Sequence, residues 1–110
     1  MAEVISKDRG NNTIWKYQFE TLGETEFEIP AYANIVHVGA QHFNYMDKAP
    51  RSYVSIWACV NPDANKIKRK FRVVATGEDL SSVIDSSDAV IHIGTAIFEN
   101  NTVWHVLEIV

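Results

Sequence analysis

One cysteine, Cys59, stands among the 110 residues, so the chain closes no internal disulfide and carries no paired-cysteine zinc motif. Three prolines and five glycines are too few for a fibrous or low-complexity chain, and no tract repeats. The opening MAEVISKDRG has no apolar h-region, so no secretory leader is expected and the cytoplasm is the expected compartment. Positive charge is also scarce. Ten Lys and Arg against fourteen Asp and Glu leave a net charge of −4, and nucleic acid is not an expected partner. The longest stretch without a charge, Ile29 to Met46, has the length of a bilayer span. Pro30, Asn34, His37, Gln41, His42 and Asn44 inside it make that costly, so no membrane is expected. No residue pattern calls for a cofactor.

What is present is a globular composition, 46% hydrophobic and 22% charged, of single-domain length. A domain of this size buries roughly 65% of its unfolded surface, enough for one core. Residues 1–12 read as a flexible or edge arm and residues 13–110 as one β-rich domain. From Thr13 the hydrophobic pattern has period two. Thr13, Trp15, Tyr17 and Phe19 share one face. After a turn at Gly23, Thr25, Phe27 and Ile29 alternate with Glu24, Glu26 and Glu28, and Pro30 ends the strand. Further strands run over Asn34–His42, Tyr53–Val60, Lys66–Ala75, Ala89–Phe98 and Thr102–Val110, the last two as a hairpin with Asn100-Asn101 at its tip. The segment 43–52 reads as a loop. Only Leu80, Val83 and Ile84 have helical spacing. Thr76, three residues before Asp79, resembles a capping box for a short helix or loop there.

This pattern predicts an all-β fold, or a β-rich one with one short helix: a small antiparallel sandwich or barrel of six to seven strands. Tyr53–Val60 and Val103–Val110 are apolar on both faces. Either two β layers close over them or another subunit does, and a homo-oligomer, a dimer or higher, is expected.

Several segments carry a resemblance. Ile14-Trp15-Lys16-Tyr17, His37-Val38-Gly39-Ala40-Gln41 and Trp57-Ala58-Cys59-Val60-Asn61-Pro62-Asp63-Ala64 begin it. Arg72-Val73-Val74-Ala75-Thr76-Gly77-Glu78, His92-Ile93-Gly94-Thr95 and Val103-Trp104-His105-Val106-Leu107-Glu108 complete it. Together they resemble a family of small bacteriophage-encoded proteins of unknown function. The resemblance implies a phage accessory protein in the host cytoplasm and supplies no catalytic residues.

The densest chemical feature is Lys66-Ile67-Lys68-Arg69-Lys70-Phe71-Arg72, which holds five of the ten basic residues. On a strand, Lys66, Lys68, Lys70 and Arg72 share one face over roughly 20 Å. Such a stripe suits an anion. It equally suits a lysine-protected edge, or pairing with Glu24, Glu26 and Glu28 on a neighbouring strand. The stripe leads into Thr76-Gly77-Glu78, where a strand turning into a helix would offer free N–H groups to a phosphate. The bland alternative is a turn that needs Gly77 for its φ. Gly94-Thr95 reads likewise as a bulge. Trp104 and His105, on opposite faces of the last strand, complete the candidate ligand set of Lys68, Lys70, Arg72, Thr76, Gly77, Thr95, Trp104 and His105. One of that pair would stack on a base.

His37, His42, His92 and His105 form no metal-ligand motif, so no metal site is expected. Cys59 lies in an apolar strand, where a thiol is poorly reactive. Three functions follow. The first is a non-enzymatic protein that binds an anionic, nucleotide-like, phosphorylated small molecule and sequesters a host immune signal. The second is a protein-interaction module that inhibits a host protein or serves in the virion or its assembly. The third is a hydrolase using Glu78 or Glu108 with His105.

Overall fold

The computed structural model describes residues 9–20, 23–43 and 51–110. Seven strands are β1 (Thr13–Gln18), β2 (Gly23–Pro30), β3 (Asn34–Phe43), β4 (Arg51–Val60), β5 (Lys66–Ala75), β6 (Val90–Ile97) and β7 (Val103–Ile109). Among the described residues one short helix, α1 (Ser81–Asp85), joins β5 to β6. All strand pairs are antiparallel. One sheet has the order β1-β4-β3, the other β2-β5-β7-β6. The protein is the expected β-sandwich.

Alternation decides which side chains enter the core. From the first sheet come Trp15, Tyr17, Val38, Val54, Ile56, Ala58 and Val60; from the second, Phe27, Ile29, Phe71, Val73, Ala96, Trp104 and Val106. Phe71 and Ile56 are fully buried, each contributing about 1.5–3 kcal/mol by removal from water. Phe19, Phe27 and Phe71 form an aromatic cluster with ring centroids 5.1–6.1 Å apart.

Both uncharged edge strands are bulged, β3 between Ile35 and His37 and β6 between His92 and Gly94. They lie side by side and shut one flank of the sandwich. Gly94 is what lets them meet: a Cβ there would stand 2.7 Å from Val38 Cγ2 and 2.9 Å from Val38 Cβ. At one end of the sandwich Arg69 and Glu108 point into the space between the sheets. Arg69 Nε and Nη2 donate to the Glu108 carboxylate at 2.7 Å each, and Nη1 donates to the Ala33 carbonyl at 2.9 Å.

Sequence and structure differ in three places. The helix is only five residues long, and Thr76 does not cap it. Instead Asp79 Oδ1 accepts from the Ser81 backbone N–H at 2.9 Å and from its hydroxyl at 2.6 Å, which holds the Asp79 carboxyl below its ordinary value. The β6–β7 hairpin uses three loop residues, because only Asn101 has positive φ (65°) and Phe98 bonds to Thr102. Of the expected arm, residues 9–12 are docked. Asn12 N–H donates to Val60 at 3.0 Å, Asn11 is buried with its amide on the Tyr32 carbonyl, and the Arg9 guanidinium sits 3.8 Å over the Tyr32 ring. The rest of the arm, and loop positions 44–50, lie outside the described residues.

Part of the cover for the two-faced strands comes from within the chain. The inner faces of β4 and β7 meet between the sheets. On the outside, Val74 and Leu107 are buried where α1, with its buried Val83, lies over the four-stranded sheet. On the other sheet, Lys16 Nζ donates to Gln41 Oε1 at 2.8 Å, a bridge from β1 to β3 across β4. The second β layer covers the inner face of each of these strands. No helix is long and apolar enough to cross a membrane among the described residues.

Candidate functional site

The outer face of the four-stranded sheet carries the chemistry, and its register sorts the expected residues. Across β2 and β5, Glu24 faces Arg72, Glu26 faces Lys70 and Glu28 faces Lys68. The basic stripe is therefore not an edge but an inner strand whose cations stand opposite a glutamate ladder. Arg72 reaches Glu24 at 3.8 Å and Glu78 at 3.7 Å, and its Nε is buried without a partner among the described residues. Lys68 is eight residues from Thr76, about 26 Å along an extended chain, so the stripe does not converge with the rest of the set.

Thr76, Thr95 and His105 do converge. His105 faces Thr95 across β7 and β6, and Val74 across β7 and β5. His105 Nε2 lies 2.9 Å from Thr76 Oγ1, and its Nδ1 lies 3.1 Å from Thr95 Oγ1. A fourth member, His92, joins them: its Nε2 lies 3.1 Å from His105 Nδ1 and 3.4 Å from Thr95 Oγ1. His92 and Thr95 are three residues apart and would point to opposite faces of a regular strand. The extra residue at Ile93 resets the parity and turns both outward.

His92 also lines a cleft of about 440 Å³ between α1 and the sheet, walled by Leu80, Ile84, Val90 and Leu107. The cleft is mostly apolar, with Ser87 and Asp88 also on its wall, and it touches the imidazole cluster through His92. Arg72 and His92 lie on one row of the sheet with Leu107 between them, about 10 Å apart.

Three expected elements are arranged differently. Thr76-Gly77-Glu78 is no phosphate cradle. Glu78 N–H donates to the Ala75 carbonyl at 3.2 Å, with Gly77 at φ +90°, which makes a type II turn; α1 begins four residues later. Trp104 faces inward and packs against the core, so it cannot stack on a ligand beside His105. Glu108 also faces inward, on Arg69, and cannot serve His105 as a hydrolase partner. Among the described residues no carboxylate is hydrogen-bonded to either imidazole, and no group of three His, Cys, Asp or Glu is placed to hold a metal. The His42 side chain lies outside that description.

Comparison with curated proteins and with solved structures returned no match. One family model does match, over residues 10–110, from the docked end of the arm through the last strand. The chain belongs to the family described as a domain of unknown function, DUF7352.

Proposed function

We propose that this chain is a non-enzymatic binding protein for a small, anionic, nucleotide-like molecule, acting as a phage accessory protein in the host cytoplasm. One observation carries this reading: Thr76, Thr95, His92 and His105 form a single hydrogen-bonded patch, and His92 also lines the mostly apolar cleft beside α1. A ring enters between Leu80, Ile84, Val90 and Leu107, and an accepting or charged group rests on the hydroxyls and imidazoles. Lys68 and Lys70 stand apart from this patch, facing the glutamate ladder and lining a separate pocket with Glu26 and Ile67, and the cleft walls take the place of Trp104 as the surface for the base.

The test is a thermal-shift screen of nucleotides and cyclic nucleotides on wild type and on His105→Ala. A binder at 100 times its dissociation constant adds about 2.7 kcal/mol of stability to wild type. That shift shrinks in the variant if the patch is the site. No shift with any compound, or an undiminished shift in His105→Ala, rejects the reading. The competing reading, a protein-contact module, is favoured by Ile91 and Ile97, which are exposed along the β6 edge.

A further inference from the structure

We infer that His92, His105 and Thr95 form a binding site for one imidazole-seeking divalent transition-metal ion, with copper(II) preferred and zinc(II) next. The three donor atoms His92 Nε2, His105 Nδ1 and Thr95 Oγ1 form a nearly equilateral triangle with sides of 3.1, 3.1 and 3.4 Å. An ion about 2.0–2.1 Å from two imidazole nitrogens holds them about 3.3–3.4 Å apart in tetrahedral geometry, and about 2.9 Å apart at a right angle. The observed spacing lies between these values, so a metal needs only a small movement of either ring.

The surroundings offer a partner for the far nitrogen of His105. Thr76 Oγ1 reaches the Val103 carbonyl at 3.4 Å and His105 Nε2 at 2.9 Å, so a hydroxyl turned toward the carbonyl leaves its oxygen free to accept from an Nε2–H. The site uses the His105 tautomer with its proton on Nε2, in which the Nδ1 lone pair faces His92 and Thr95. A hydrogen bond on the far nitrogen is the usual way a protein orients a metal-binding imidazole. Two imidazoles and a hydroxyl, with open positions toward solvent, suit copper(II) and zinc(II) and discriminate against magnesium and calcium, which take oxygen ligands.

The inference uses the same patch as the proposed organic ligand but does not rest on that reading, and its test uses metal salts alone. Calorimetric titration of the full chain with copper(II) and zinc(II) chloride, magnesium chloride serving as control, is compared with the double variant His92→Gln/His105→Gln and with Thr76→Val. The expected result is one site per chain, lost in the double variant and weakened about 10-fold in Thr76→Val, which removes only the positioning hydroxyl. In parallel, zinc(II) shifts the ring nitrogen resonances of His92 and His105 in the wild-type chain, a readout that needs no variant to fold. No binding to wild type, equal binding to a folded double variant, or shifts confined to other histidines overturns the inference.

Discussion

Arg69 and Glu108 meet through two parallel hydrogen bonds of 2.7 Å on the core-facing side of the sheet, with 18% and 12% of their side chains exposed. The fork geometry and the third bond to Ala33 satisfy the guanidinium. Removing one partner leaves a largely buried charge alone. Glu108→Ala should therefore cost about 3 kcal/mol in urea unfolding. The paired change Arg69→Met/Glu108→Leu should recover much of that loss. Equal losses in the single and double variants would mean that the ion pair is not what the site requires.

The Gly94–Val38 approach predicts a second effect. Gly94→Ala places a methyl group 2.7–2.9 Å from Val38, and the contact is with Cβ as well as Cγ2, so a rotamer change does not relieve it. A loss of about 1–3 kcal/mol is expected, as for overpacked cores. Adding Val38→Ala should restore part of it. A double-mutant cycle with no coupling would refute the contact.

The ladder between β2 and β5 makes a third prediction. Lys70→Glu sets two carboxylates opposite each other at Glu26 and should destabilise by about 0.5–1 kcal/mol. Swapping both, Glu26→Lys with Lys70→Glu, should bring the melting temperature back and leave ligand and metal binding unchanged. A ligand response that vanishes in the swapped protein would return the stripe to the binding surface.

A fourth concerns high pH. Burial pushes the Tyr17 hydroxyl above its ordinary 10.0, with the Arg69 guanidinium pulling weakly the other way. The folded state thus holds this proton more tightly than the unfolded chain. The stabilising contribution is complete below pH 10 and is lost as pH rises through the folded value. Tyr17→Phe should show a shallower fall in stability than wild type above that pH in denaturant melts. Parallel curves would contradict the assignment.

The sequence displayed its strands plainly, because each alternates where one face is buried: all seven appear within about two residues of their expected ends at most boundaries. Even the Glu24–Glu26–Glu28 stripe, opposed to Lys68, Lys70 and Arg72, is readable as a pair of complementary rows. Strand order is not local information, and nothing near Lys68 says that so charged a strand runs inside a sheet. The helix shrank because Val83 alone finds a buried place. His92 escaped notice for a specific reason: period-two counting assigns it and Thr95 to opposite faces, and a single extra residue at Ile93 overturns the count. A glycine two positions after a histidine, in a strand otherwise free of breakers, is the only local hint of that bulge.

The meeting of β3 and β6 has one more consequence. Both are uncharged edge strands, and each has a free side in its own sheet's hydrogen-bonding order. Held against one another they are poor templates for other molecules, while the remaining outer strand of the larger sheet, β2, is guarded by its glutamates. Damage at the Gly94–Val38 contact would therefore do more than lower a melting point. It would uncover two adjacent sticky rims at once, and the visible symptom would be fibrous self-association at concentrations where the intact protein stays clear.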